Sequence, residues 1–378
     1  MFHGALVPFA ERRKIIMKQK KPLSSYVEML RTMIAILISL IIVFAIILLI
    51  SSQPLSALGD FIFGPLTSVR RFGNVIEGMT PLMFTGLAVI ILFKPGLFNL
   101  SMEGAFFIGA VAACAASLGL GLSGKTALIV AMAAAAVAGG FICFIPGIMK
   151  VKTGSNELVT SLMLNYTCLY VGLWIITTFF YDPTQNSNYS YKFPEGCALS
   201  KIITGTRINS GTIIALVTVL VIWVIVNRTP FGFKANLVGE NFNMANYAGI
   251  NSGLIIILTQ ILGGMLAGLG GAAELFGMYQ RFQYSALPGY GWDGVLIAIV
   301  ARRKVQYVPF AALFLSYLRI GADIMSRNSD IPFEIVNIIQ AVMVLLISAT
   351  AILSGYKKKL IIKETKEFEA AAKKEVQA

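Results

Sequence analysis

The chain has 378 residues, of which 57% are hydrophobic, and a mean hydropathy of +0.77. Only 13% are charged, against about 25% in soluble domains, which leaves too few polar side chains to coat a water-soluble surface. The net charge of +13 lies in short basic clusters between long apolar runs. That pattern speaks for the inner loops of a membrane protein rather than for a nucleic-acid-binding face.

A helical membrane span needs about 20 mostly apolar residues. The first is 32–50, which follows a basic segment, 1–30. No small-residue cleavage site follows in 51–55, so the run reads as a retained helix and not as a signal peptide. Further spans are predicted at 75–93, 103–118, 127–149, 158–180, 212–226, 253–270, 294–301, 308–324 and 333–353. The run 294–301 is too short to cross alone and borrows from the Gly/Pro-rich 288–293, as a broken or tilted helix. The predicted fold is therefore all-α, a polytopic membrane protein of about ten transmembrane helices.

Basic residues set the orientation. Arg12, Arg13, Lys14, Lys18, Lys20 and Lys21 precede the first helix and place the N-terminus in the cytoplasm. Every even-numbered helix then exits into a basic segment: Lys94, Lys150 with Lys152, Arg228 with Lys234, Arg302 to Lys304, and Lys357 to Lys359. Both termini are thus expected inside, with a permease domain at 31–355 and a Lys/Glu/Ala-rich cytoplasmic tail at 356–378. The Asn/Tyr/Ser-rich 181–210 falls outside and 227–252 inside.

Four cysteines carry no disulfide framework, since Cys114, Cys143 and Cys168 lie in apolar runs and only Cys197 in a polar one. The single histidine, His3, leaves no multi-histidine metal site. Residues 119–126 match the phosphate-loop spacing, with Lys125 and Thr126 at its end. That chemistry needs a preceding strand, and the flanks here are membrane helices, so the segment reads as a turn.

The polar insertion 94–104 reads either as a bare loop or as a discontinuous helix whose backbone and Asn99 line a substrate path. Glu103, heading into an apolar span, needs a partner or water. The segment 153–166 offers Ser155 as a helix cap, with Asn156 beside it, and Thr160, Asn165 and Tyr166 as either helix glue or path lining. Arg319 and Asp323, four residues apart, are expected to pair, while Glu274 and Asp293 flank a region that could reach into a cavity. In 227–252, Pro230 and Gly232 break the preceding helix, and Gly239 separates two short amphipathic stretches. The second carries Met244, Tyr247 and Ala248 before Gly249. A helix of this kind suits a groove on a partner protein, although a plain loop also explains the Gly and Pro.

Taken together, 96–110, 156–166, 229–250 and 289–302 resemble the permease subunits of ABC importers in the branched-chain amino acid/ribose permease superfamily. The likeness is strongest to nucleoside-type permeases that work with basic-membrane-protein lipoproteins, and Tyr191 to Glu195 also fits that branch. It runs from about residue 30 to 355. Leu100-Ser101-Met102 stands where the family usually has Ile-Gly-Val, and Ala105 where it often has Gln. The resemblance implies a non-enzymatic subunit of a bacterial-type plasma membrane importer of nucleosides or simple sugars. It also implies a second permease, an external substrate-binding lipoprotein, and a cytoplasmic ATPase that holds the ATP and magnesium. Asn99, Glu103, Asn156, Asn165 and Glu274 are the expected path residues; Gly232, Gly239, Glu240, Tyr247 and Gly249 are expected in the ATPase coupling loop. The competing reading is a self-sufficient secondary transporter or channel, driven by an ion gradient through Glu103, Glu274, Asp293 or Asp323. A membrane enzyme would need a histidine, metal-ligand or nucleophile constellation within the spans, and the sequence offers none.

Overall fold

The computed structural model describes residues 51–185 and 189–331, with isolated positions at 41, 42, 44, 45, 47, 48, 338 and 342. The chain divides into two units, 1–50 with 337–378 and 51–336, of which the second holds nearly all the described residues. Apart from those isolated positions, the predicted spans 32–50 and 333–353 and the two terminal segments lie outside the described residues.

Eleven α-helices follow one another among the described residues. They are α1 Pro54–Phe63, α2 Val69–Leu92, α3 Met102–Gly119, α4 Gly124–Thr153, α5 Glu157–Phe179, α6 Ser210–Arg228, α7 Pro230–Glu240, α8 Phe242–Tyr247, α9 Ser252–Met278, α10 Tyr290–Val300 and α11 Val308–Asn328. Seven of them (α2 to α6, α9 and α11) are long and apolar enough to cross a membrane, and each covers a predicted span. At 11 residues, α10 is about 16 Å long against a hydrocarbon core of about 30 Å, so it is a half-crossing. The sequence pattern missed α1, which starts on Pro54 at a position where proline's fixed φ favours helix. It buries Ala57 and Phe61 and is tied to α11 by the Tyr317 hydroxyl, which donates to the Ile62 carbonyl.

The centre of the unit is α9, packed on α4, α2 and α3. Its glycines let backbones touch. A Cβ on Gly268 would meet the Ala135 carbonyl oxygen of α4 at 2.1 Å, and one on Gly271 would meet the Phe106 oxygen of α3 at 2.1 Å. In a bilayer there is no hydrophobic drive between helices, so such small-residue contacts, with their close dispersion packing, hold the bundle. The most enclosed span is α2, 89% buried.

Connections gather at the two ends of the bundle. At one end the turn after α2 meets α7, where Gly239 lies against the Lys94 carbonyl and Gly96, and Val151 of α4 touches Gly253. At the other, Gly124 N donates to the Glu195 carbonyl (3.3 Å), Phe193 N to Gln280 O (3.0 Å) and Leu199 N to Phe276 O (3.0 Å). The segment after Phe179 thus lies along the end of α9, with only isolated bridges and no strand among the described residues.

Asp330, just beyond α11, clasps the start of the unit. It accepts from Ser51 Oγ (2.6 Å), Ser52 N (2.8 Å) and Ser52 Oγ (2.8 Å). These donors hold its carboxyl at about 2, below the usual 3.8. A depressed pKa stabilises the fold fully above the unfolded value and ceases to do so as pH falls through the folded one. The melting temperature in detergent is therefore expected to drop between about pH 5 and about pH 2.5 by more in the wild type than in Asp330→Asn. Equal drops would remove the clasp from the stability of the protein.

Candidate functional site

The segment between α2 and α3 leaves helical geometry inside the bundle, and side chains from two helices take over its hydrogen bonds. Asn99 Nδ2 donates to Gln260 Oε1 of α9 (2.8 Å), while Asn99 Oδ1 accepts from Ser101 N (2.8 Å). Leu100 N donates to Ser161 Oγ of α5 (3.0 Å). Asn165 of the same helix donates to the Leu100 carbonyl (2.9 Å) and accepts from Gly104 N (2.8 Å). Irregular backbone at membrane depth persists only when satisfied in this way. Asn99 and Asn165 are 1% and 3% exposed, so their polar atoms face the protein.

Glu103, 1% exposed, begins α3 and reaches across to α10. Its carboxylate accepts from Gly289 N (2.6 Å) and Gly291 N (2.5 Å), the free N–H groups that open that short helix. Only glycine fits there: a Cβ on Gly291 would lie 2.6 Å from Glu103 N, and Gly289 has φ +87. Beside this cap, Glu274 accepts from the Tyr284 hydroxyl (2.5 Å), and Asp293 pairs with Arg319. Tyr290 stacks on Phe106 (5.0 Å) under the Arg319 guanidinium (5.4 Å). The expected Arg319–Asp323 pair does not form, because Asp323 bonds Arg327 instead (3.0 Å).

Residues 227–252 form a helical hairpin. Gly232 turns it out of α6, its Cβ position only 2.0 Å from the Val226 carbonyl. Asn241 caps α8 by accepting from Met244 N (2.9 Å), and Gly249 leaves it at φ +78. The inner face (Ala235, Val238 and Ala245) clusters with Leu97, Ile255 and Ile256. The outer face presents Phe233 and Met244, together with Tyr247 at 92% exposure and the exposed Glu240. Between hairpin and bundle lies a cavity of about 420 Å³, lined by Pro95, Leu97, Lys150, Val151, Gly239 and Phe242 among others.

Other expectations resolve locally. Asn156, not Ser155, caps α5, accepting from Leu158 N (3.0 Å), while the Ser155 hydroxyl has no partner among the described residues. Residues 119–126 turn from α3 into α4 with no strand before them. Gln260 and Ser161, which complete the irregular segment, were not singled out by the sequence reading. Nor was Glu77 of α2, 2% exposed, whose Oε2 accepts no hydrogen bond among the described residues.

A half-crossing helix and an irregular backbone at membrane depth are features of transport proteins. A sequence profile described as branched-chain amino acid transport system / permease component matches residues 72–348. The chain belongs to this permease family. The permease is 32% identical over 319 residues to the guanosine ABC transporter permease protein NupP of Bacillus subtilis, covering 81% of this chain and 89% of that protein. It is 30% identical over 358 residues to the nucleoside ABC transporter permease protein NupB of Lactococcus lactis, covering 92% and 97%. The glucose ABC transporter permease protein TsgB13 of Haloferax volcanii is 29% identical over 315 residues, covering 81% and 83%. The resemblance read from the sequence motifs, to ABC importer permeases of the nucleoside branch, holds over nearly the whole chain.

Proposed function

We propose that this permease is one half of the membrane pore of an ABC importer for nucleosides in the plasma membrane, with simple sugars as the alternative cargo. The chain crosses ten times with both ends in the cytoplasm. A second permease completes the pore, an external lipoprotein delivers the solute, and cytoplasmic ATPase subunits carry the ATP and magnesium. The α7–α8 hairpin is the element on which an ATPase docks. The observation that carries this reading is its two-faced build: one side is seated on the turn after α2, and the other exposes Phe233, Met244 and Tyr247. An exposed apolar ridge on a rigid hairpin suits a partner's groove.

Support for the orientation comes from the gathering of Lys94, Lys150 and the hairpin that carries Lys234 at one end of the bundle. Full-length likeness to permeases named for guanosine and nucleosides supports the cargo. When ATP draws the ATPase pair together, the hairpin moves and Gly239 carries that motion into the segment holding Asn99 and Glu103. Asn99, Glu103, Asn156, Asn165 and Glu274 frame the path by fixing that segment and its neighbours. Gentle crosslinking of native membranes, followed by purification through a tag on this chain, is expected to bring down an ABC ATPase and a second permease. Recovery of the tagged chain without any ATPase would count against the reading.

A further inference from the structure

Among the described residues three spans are left largely uncovered: the shares buried are 33% for α4, 28% for α5 and 33% for α6. Their free faces differ in chemistry. On α4 the exposed residues include Ile129, Val137 and Phe141, and on α6 Ile213, Val217 and Leu220, all suited to lipid. On α5 aliphatic Val159, Met163 and Val171 are joined by Tyr166 at 62%, Tyr170 at 70% and Trp174 at 59% exposure, with exposed Thr167 and Thr177 beside them. The three rings stand four residues apart, so they form one ridge with steps of about 6 Å.

Tyrosines in contact with lipid gather at the interfaces, where the phenol can reach water. Tyr166 and Tyr170 instead flank the midpoint of α5, whose ends are Glu157 and Phe179. Neither hydroxyl makes a hydrogen bond among the described residues, and a bare phenol at that depth in hydrocarbon is costly. The neighbouring threonines avoid that cost by donating to their own helix: Thr167 to Met163 O and Thr177 to Leu173 O. The opposite face of α5 is fixed, since Ser161 and Asn165 bond the Leu100–Gly104 segment.

We propose that Tyr166, Tyr170 and Trp174 line the aqueous path as a ladder on which a flat heteroaromatic solute stacks, its hydroxyls and ring edges bonding the two phenols. Aromatic faces take bases of any identity, and the steps let one ring pass the solute to the next. The ladder rests on the nucleoside-importer reading. It names the surface that meets the cargo, and Asn165 ties that surface to the segment the coupling hairpin touches.

The test uses the complete importer in proteoliposomes with radiolabelled guanosine. Tyr170→Ala is expected to raise KM about tenfold or more while Tyr170→Phe stays near wild type, as loss of one stacking platform requires. Val217→Ala, on the aliphatic face of α6, is expected to change nothing. The thiol introduced by Tyr170→Cys should react with a charged, water-soluble methanethiosulfonate reagent, and guanosine should slow that reaction. An unreactive thiol, or unchanged KM in the alanine variants of all three rings with ATP-driven guanosine uptake intact, would overturn the ladder and leave the importer reading standing. No ATP-driven guanosine uptake by the wild-type complex would overturn both.

Discussion

Replacing Gly239 by valine is expected to cut uptake at least severalfold while the protein remains in the membrane at close to its normal amount. A Cβ at this position would fall 2.2 Å from the Lys94 carbonyl oxygen and 3.2 Å from Gly96 N. Both are backbone atoms in a turn that itself holds φ +81 at Gly96, so neither can step aside as a side-chain tip would. Overpacking of this kind costs about 1–3 kcal/mol, and here the cheapest relief is for α7 to lift off the turn. The seven membrane-crossing helices do not depend on that contact, whereas the link between hairpin and irregular segment does. Uptake should fall about tenfold or more, because each 1.4 kcal/mol of lost coupling is a factor of ten. Tyr247→Ala removes a ring that is 92% exposed, and it should weaken ATPase binding without lowering the melting temperature. Normal uptake by Gly239→Val would sink the coupling assignment.

Glu103→Leu is expected to produce the largest loss of stability among single substitutions in the described bundle. It leaves Gly289 N and Gly291 N without an acceptor at a buried helix start, at about 1–3 kcal/mol for each orphaned donor. Glu103→Gln keeps one carbonyl oxygen in place, so the melting temperature in detergent should run wild type, then Gln, then Leu. The pair also separates two roles for this carboxylate. A Gln variant that melts like the wild type but no longer transports would mean that Glu103 meets the solute or a proton rather than capping α10.

Apolar runs made the spans legible, and the polar residues inside them marked the places where the helix pattern breaks. Asn99, Glu103 and Asn165 were singled out because each interrupts an apolar segment, and all three bind irregular or terminal backbone. Partners were harder to read. Arg319 has an acid one turn away in Asp323, yet it pairs with Asp293 on another helix, because Arg327 takes Asp323 from the solvent side. Glu274 was read as flanking a region that could reach into a cavity, beyond a span ending at 270, but α9 continues to Met278, with the charge met by Tyr284. Glu77 and Gln260 both lay in plain view within predicted spans. Neither breaks the run it sits in, so spacing alone gave no reason to choose them. On the outward face of α5 only Tyr166 was singled out, as helix glue or path lining; Tyr170 and Trp174 were not, since which ring meets protein and which meets open space depends on the packing of α3 and α4 around the helix.

The most direct measurement is guanosine uptake into proteoliposomes that hold this permease with its co-purified subunits, with ATP present or absent on the ATPase side. The importer reading predicts uptake with ATP and none without it, and no uptake by this chain alone. Uptake by the chain alone in ATP-free vesicles, driven by an ion gradient, would contradict it and make the permease a secondary transporter.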